Sequence, residues 1–368
     1  MKQLKVMILA NDTTYTYNLR REIIERFLAD GYRVCIVSKI IKFQQELESL
    51  GCQLIDIDSG RHGTNPLSDV ILMFNYLKIL RKEKPDVVLS YNIKPNVYGG
   101  MACRLTGTKY LPNITGLGTA VEYPGKMQVL TTFLYKVGVA GASCVLFQNE
   151  ENRQFFYSHN MLKKNAKTKL LPGSGVSLTN HSLMEYPKDD VVVNFLFIAR
   201  VMKEKGIDLY LAAAKRIHEK YPNVVFHICG QCDDERYVQI LDEIQKDGYI
   251  KYHGEQKDLR PFFEMANCIV HPSYYPEGMS NVLLEAAAHG RPIIATDRSG
   301  CRETIDDGKS GFVIPIKDED ALVQAIEKFM KLSWEDKQAM GLSGREKMVK
   351  EFDRSIVVEA YVEEMKDL

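Results

Sequence analysis

The sequence predicts an α/β protein built from two doubly wound, Rossmann-like halves. Three observations carry this reading. Near-continuous apolar strands alternate with helix-like stretches along the chain, the pattern of parallel sheets covered on both faces. The alternation pauses once, at about 172–190, where "PGSGVSLTNHSLMEYPKDD" holds Gly, Pro, Ser and charge without a period. And 368 residues exceed one ordinary core.

The elements follow in order. "LKVMILA" at 4–10 is a strand by its aliphatic run, and a helix pattern follows at about 18–30. "YRVCIVS" at 32–38, a helix near 41–50 and "CQLIDID" at 52–58 come next. A long helix at about 66–83 opens on Pro66, which suits a first turn. "PDVVLSY", "KYLPNIT" and "ASCVLFQ" complete the strands of this half. Past the linker the strands read "VVNFLFIAR", "NVVFHIC", "YIKYHG", "CIVHPS", "RPIIATD" and "GFVIP". Three helical stretches close the chain at about 318–332, 334–350 and 353–367. The expected domains are 1–175 and 190–352. In doubly wound sheets ligands bind beyond the carboxyl ends of the strands, so two such domains face to face place the site in the cleft between them.

Composition narrows the class. Apolar residues make up 45% and charged residues 26%, as in ordinary globular chains. No apolar run approaches the roughly 18–20 residues of a membrane span. "MKQLKVMILANDTTY" lacks a small-residue cleavage site and reads as a first strand rather than a signal peptide, so a cytoplasmic protein is expected. Cys35, Cys144 and Cys268 fall inside strand-like runs, the placement of buried hydrophobes. The lone C-x-x-C, Cys229 and Cys232, lacks the second pair a zinc site wants. Net charge is zero, yet residues 1–170 carry 23 Lys and Arg against 14 Asp and Glu. A basic half is attracted to anionic surfaces or ligands. Nucleic acid is not expected as a partner.

Two stretches carry chemistry. "PEGMSNVLLEAAAHG" at 276–290 reads as a loop and then a helix starting near Met279–Ser280, with Gly290 as a plausible stop. A helix start exposes unpaired N–H groups and the positive end of the dipole, which suits a diphosphate. Glu277 stands just before that start and Glu285 about two turns in. A carboxylate accepts two hydrogen bonds from a vicinal diol, and a nucleotide sugar carries such diols on either side of its diphosphate. In "IARVMKEKGID", Arg200 ends a strand and Lys205 precedes Gly206 and a helix. Two cations in such a loop neutralise a diphosphate and stabilise a departing nucleotide without any metal.

With these residues in view the chain resembles the retaining glycosyltransferases of family 4, which have the GT-B fold. The resemblance rests on "ARVMKEKGID", "YHGEQKDLRPFFEMANCIVHPS", "PEGMSNVLLEAAAHGRPIIATD", "GCRETI" and "DGKSGFVIP". It implies that Arg200 and Lys205 bind the diphosphate, Glu277 contacts the donor sugar, and Glu285 holds the ribose. It implies that backbone amides of Gly278, Met279, Ser280, Asn281 and Val282 hold phosphate and sugar, and that the base lies along Gly254 to Leu259. It also implies that the last helix, about 353–368, packs back on the N-terminal domain. Transfer in this fold is pictured on one face of the sugar, with the leaving phosphate taking the acceptor's proton. No cofactor and no metal are expected beyond the nucleotide-sugar co-substrate.

"YNIKPNVYGGMACRLTG" and "NITGLGTAVEYPG" resemble enzymes that build bacterial capsule, O-antigen or protein glycans on polyprenyl-diphosphate carriers. The family's histidine after the fifth strand is replaced by Thr115-Gly116-Leu117-Gly118, and its Gly-Gly pair after the first by "NDTTYTY". The expected acceptor residues are therefore Thr13, Tyr15, Gly116, Leu117, Gly118 and Glu122, with Lys94 or Arg61 on the acceptor diphosphate. "TGLGTA" lacks the third glycine of a dinucleotide fingerprint, Val121 standing there. Asp56 and Asp58 form a D-x-D in a strand rather than in a metal-dependent transferase loop.

The expected function is transfer of a hexose or N-acetylhexosamine from a UDP-sugar to a lipid-diphosphate-linked saccharide. The alternatives are a UDP-sugar 2-epimerase of the same fold and a non-catalytic nucleotide-sugar-binding partner. Peripheral attachment to the inner membrane leaflet is expected through 153–169, where aromatics mix with Lys163, Lys164, Lys167 and Lys169. Leu130, Phe133, Leu134 and Val137, at helical spacing, read as a core stripe.

Overall fold

A computed structural model describes residues 3–57, 66–188 and 192–367. The chain divides into two compact units, one of Met1–Ser174, Glu277–Met279 and Arg354–Leu368, the other of Gly175–Pro276 and Ser280–Asp353. The first unit runs β1 (Lys5–Asp12), α1 (Thr13–Ala29), β2 (Arg33–Lys39), α2 (Gln44–Ser49), β3 (Gln53–Asp56), α3 (Pro66–Glu83) and β4 (Val87–Tyr91). It continues with α4 (Gly100–Thr106), β5 (Lys109–Ile114), α5 (Lys126–Gly138), β6 (Val145–Phe147), α6 (Glu150–Ser158) and β7 (Thr168–Leu170). All its strand pairs are parallel, in the order β3-β2-β1-β4-β5-β6-β7.

The second unit runs β8 (Val193–Ile198), α7 (Ile207–Lys220), β9 (Val224–Cys229), α8 (Glu235–Ile244), β10 (Ile250–Tyr252), α9 (Arg260–Met265) and β11 (Cys268–His271). It continues with α10 (Asn281–Ala288), β12 (Ile293–Thr296), β13 (Gly311–Ile314), α11 (Glu319–Met330) and α12 (Trp334–Lys347). Its parallel order is β10-β9-β8-β11-β12-β13. The last helix, α13 (Arg354–Lys366), packs in the first unit. There Arg354 bonds Glu22, and the Tyr361 hydroxyl accepts from Asn113 Nδ2 at 2.7 Å.

Alternation along β1 explains its unbroken apolar run. Val6 and Ile8 enter one core with Phe27 and Tyr361, while Met7 and Leu9 enter the opposite core with Tyr76 and Leu80. In each sheet the order in which strands are added reverses once, between β1 and β4 and between β8 and β11, all strands staying parallel. Such switch points open the crevice in which doubly wound sheets bind ligands.

Four expectations need correction. Helix α1 starts at Thr13 rather than near 18, because the Asp12 carboxylate caps it, accepting from Tyr15 N at 3.0 Å. Strand β7 was not expected, being only three residues long and half polar. It overlaps the stretch expected to face a membrane. Within that stretch Phe156 is fully buried, and Lys167 and Lys169 pair with Glu363, Glu364 and Asp367 of α13. Those two ammonium groups are engaged in ion pairs on the protein's own surface. Finally, Leu130 and Phe133 of α5 are exposed, and Thr131, Tyr135 and Gly138 form its buried side instead. The buried side is set by small and aromatic residues, so the aliphatic count along the helix pointed the wrong way.

All eight cysteines are free, and burial pushes the Cys229 thiol up to about 12. Asp56 ends β3 exposed and accepts from Ile40 N at 2.9 Å, while Asp58 and Arg61 lie outside the described residues.

Candidate active site

In the second unit the switch point brings together the ends of β8 and β11. Beyond β8, Arg200 is exposed, and a short turn of 3-10 helix at Lys203–Lys205 leads into α7. Gly206 joins the two at φ +80°, and a Cβ there would lie 2.1 Å from the Pro272 carbonyl oxygen. Only glycine permits both the left-handed backbone and this approach. The loop after β11 is tied to the same turn, since Tyr274 N donates to the Glu204 carbonyl at 2.9 Å.

That packing buries Lys205, which is 8% exposed. Its ammonium sits 4.9 Å from the centroid of the Tyr275 ring, within cation–π range. Burial, and secondarily the charge of Arg200, bring its pKa down to about 8, with Cys301 acting the other way. Beneath it His271 ends β11, 2% exposed, with neither ring nitrogen hydrogen-bonded. Burial, then the charge of Lys205, pushes this imidazole down to about 3, so it is neutral.

Helix α10 starts beside this loop in sequence. Its N-cap is Ser280, whose side chain makes no cap hydrogen bond, while Ser280 N donates to the Gly300 carbonyl at 2.8 Å. The helix opens without a side-chain cap, so its first amides are available to an anion. Asn281 Oδ1 is buried without a hydrogen-bond partner, and Glu285 is half-buried about one turn along rather than two, because the helix starts at Asn281. Val282 is half-buried in the first turn.

The stretch expected to hold a base begins at Gly254, φ +68°, whose carbonyl accepts from Gly230 N at 2.8 Å, and ends at half-buried Leu259, the N-cap of α9. Just before it, His253 Nε2 lies 3.0 Å from His227 Nδ1, and His227 Nε2 lies 3.1 Å from Asn194 Oδ1. With Asn194 Oδ1 as acceptor, His227 donates through Nε2 and accepts through Nδ1 from His253. Burial holds His227 down to about 4, keeping the pair neutral.

Glu277, Gly278 and Met279 pack in the first unit. Asn149 Nδ2 donates to the carbonyls of Glu277 at 3.1 Å and Gly278 at 2.6 Å. Gly278 N donates to the Thr115 carbonyl at 3.1 Å. A Cβ on Gly278 would lie 2.5 Å from both Thr115 O and Gln148 Oε1. This mesh fixes the backbone on either side of the Glu277 side chain, which is half-buried, while Met279 is buried.

The expected acceptor residues are more dispersed. Thr13 is fully buried, its hydroxyl donating to Lys42 O at 2.6 Å and accepting from Ile41 N at 3.0 Å, so it ties a loop. Tyr15 is exposed. Lys94 pairs with Asp69 at 3.0 Å and is held to α3. Gly116 and Gly118 have φ +135° and +68°, which turns the Leu117 side chain into the core, and Glu122 is half-buried.

Residues 185–347 match the family described as glycosyl transferases group 1, and residues 5–149 match that described as glycosyl transferase 4-like. The chain belongs to the glycosyltransferases. Among the relatives of this glycosyltransferase is an uncharacterized glycosyltransferase of Methanocaldococcus jannaschii, 27% identical over 63% of this chain and 61% of that one. Another is the N,N'-diacetylbacillosaminyl-diphospho-undecaprenol alpha-1,3-N-acetylgalactosaminyltransferase of Campylobacter jejuni, 24% identical over 98% of this chain and 97% of that one. The fold matches Anabaena HepE, solved in complex with UDP and glucose, with TM-score 0.79, 15% identity and full coverage of both chains. At that identity the likeness establishes the GT-B fold.

Four neighbours of the expected site residues were not singled out in the sequence: Asn149, His271, Tyr275 and the inner member of the His227–His253 pair, His227. Asn149 was findable, because Asn before "EEN" after a strand is an N-cap signal, and its Oδ1 does accept from Asn152 N at 2.8 Å. The others act through tertiary neighbours and leave no local signal.

Proposed function

We propose that this glycosyltransferase moves a hexose or N-acetylhexosamine from a UDP-sugar to a saccharide carried on a lipid diphosphate, with retention and without a metal. The observation that carries the reading is the anion-ready end of the second unit. There a buried lysine, a neighbouring arginine and an uncapped helix start converge at one switch point. Arg200 and Lys205 neutralise the diphosphate and stabilise the departing nucleotide. The amides of Met279, Asn281 and Val282 hold phosphate and sugar, while those of Gly278 and Ser280, expected to do the same, are spent on the Thr115 and Gly300 carbonyls. Glu285 accepts from the ribose hydroxyls, and Glu277 accepts from the sugar hydroxyls. Asn149 keeps the Glu277 backbone in place for that contact.

UDP is favoured as the nucleotide by the ligand of the similarly folded Anabaena protein. A lipid-diphosphate acceptor is favoured by the name of the Campylobacter relative, which aligns over 98% of this chain. In this reading the enzyme works in the cytoplasm, at the inner face of the membrane that carries its acceptor, in surface-glycan synthesis.

A panel of UDP-sugars with and without a polyprenyl-diphosphate-linked saccharide tests the proposal. Acceptor-dependent UDP release, with product of the donor's anomeric configuration and undiminished by a chelator, is the expected result. An isomerised donor without acceptor, or binding without any product, overturns it.

A further inference from the structure

Two helices of the first unit present apolar side chains to solvent rather than to a core. On α3 these are Leu67, Val70, Ile71 and Phe74, with Leu67 68% and Phe74 58% exposed. Their spacing of three, one and three places them on one face of the helix. On α5 they are Met127, Val129, Leu130 and Phe133, with Val129 67% and Phe133 60% exposed. A monomer rarely leaves so many large apolar groups together on its surface without a use.

The two sets belong to one layer. Both helices follow strands of the same parallel sheet, and both sets occupy the N-terminal half of their helix. They therefore stand at the same level, toward the carboxyl ends of the strands. The segment 95–99 lies between them: Tyr98 donates to Asp69 of α3 at 2.9 Å, and Gly138 of α5 is pressed against Val97.

The charge around this face is predominantly positive. Residues 66–138 hold nine Lys and Arg against four Asp and Glu. Of the four acids, Asp69 is paired with Lys94 and Glu83 with Lys5. Lys78, Arg81, Lys82 and Lys84 are exposed after the apolar half of α3, and Lys126 and Lys136 are exposed on α5. An apolar face bordered by cations is the composition of an interfacial helix on an anionic bilayer. The same excess of cations makes two copies of the face repel each other.

We infer that the outward face of α3 and α5 is the surface by which this protein sits on an anionic lipid bilayer. The inference rests on the reading that the acceptor is lipid-linked, since such an acceptor is reached only at a membrane. It moves the membrane contact away from 153–169, where Phe156 is buried and Lys167 and Lys169 are paired with carboxylates of α13. Phe74 and Phe133 enter the boundary between headgroups and acyl chains, and the lysines stay among the headgroups.

Flotation of the full chain with phosphatidylethanolamine–phosphatidylglycerol vesicles tests this directly. The chain floats at low salt, binds less at high salt, and does not float with phosphatidylcholine alone. Ile71→Glu with Phe74→Glu, and separately Leu130→Glu with Phe133→Glu, each reduce the bound fraction by about tenfold. All four positions are exposed, so the variants keep the fold, which circular dichroism verifies. Wild-type protein that stays with the soluble fraction overturns the inference, as do variants that float like wild type. A dimer in sedimentation that either variant dissolves also overturns it and assigns the face to a second copy. UDP release with a short-chain, water-soluble acceptor tests the transfer reaction separately. There the variants match wild type, so loss of flotation and loss of chemistry are told apart.

Discussion

In its proposed role on the donor diphosphate, buried Lys205 makes donor use pH-dependent. In the folded chain its ammonium titrates at about 8 instead of 10.5, chiefly through burial. Each unit is worth about 1.4 kcal/mol, so holding the charge costs about 3 kcal/mol until a diphosphate arrives. Below pH 8 folded and unfolded chains both carry the proton, and stability has no slope from this group. Between about 8 and 10.5 the unfolded chain binds more protons, so stability of the ligand-free protein rises with pH. Donor binding runs the opposite way, because only the ammonium neutralises the diphosphate. The expected result is that kcat/KM for the UDP-sugar falls roughly tenfold per pH unit above about pH 8. The bound diphosphate favours the ammonium, so the corresponding limb of kcat lies at higher pH. The assay is initial UDP release at low and saturating donor from about pH 6.5 to 9.5, within the range where a lysine of this pKa changes charge. Lys205→Arg keeps its charge throughout and removes the limb, whatever its absolute rate. A flat kcat/KM for wild type across that range, or an unchanged limb in Lys205→Arg, would falsify the assignment.

Further predictions follow from the same geometry. Glu277→Ala loses on the order of 2–4 kcal/mol of transition-state stabilisation, read as a 10²–10³-fold fall in kcat, and near-normal turnover refutes its role. Asn149→Asp keeps the acceptor that caps α6 but loses the donor to the Glu277 and Gly278 carbonyls. Turnover should drop about tenfold with helix content unchanged, and equal losses of both point to a cap role only. Gly206→Ala forces a Cβ to 2.1 Å from Pro272 O in a left-handed backbone, so it should destabilise by more than the roughly 1–2 kcal/mol of the backbone term alone. A melting temperature equal to wild type counts against that account. Lys5→Met strips the partner from Glu83 beside a 6%-exposed ammonium, for an expected loss of about 3–5 kcal/mol in urea unfolding.

Much of the proposed donor end was legible along the chain because its parts are local. Arg200, Lys205 and Gly206 lie within one strand-to-helix turn, and Ser280 to Glu285 lie within one helix. The fold was legible for the same reason, since strand alternation and helix starts are short-range patterns. The start of α1 differs from the apolar pattern because the Asp12 cap begins the helix about five residues earlier, a signal that the sequence does contain. The acceptor residues fared otherwise. Nothing in "NDTTYTY" announces that the Thr13 hydroxyl is spent on residues 41 and 42, nor does "IKPN" reveal the ion pair of Lys94 with Asp69.

The sequence by itself determined two parallel, doubly wound sheets and the loop-helix turns at Arg200–Gly206 and Ser280–Glu285, because backbone periodicity and helix termini are set by neighbours in the chain. Tertiary structure alone decided which groups are solvated. It buried Lys205 against Tyr275 and His271, so burial brings the pKa of a nominal surface cation down to about 8. It turned Thr131 and Tyr135 of α5 inward and left Leu130 and Phe133 outside, reversing what their hydrophobicity suggested. Burial is a property of what packs on the other side, and that partner lies far away in sequence.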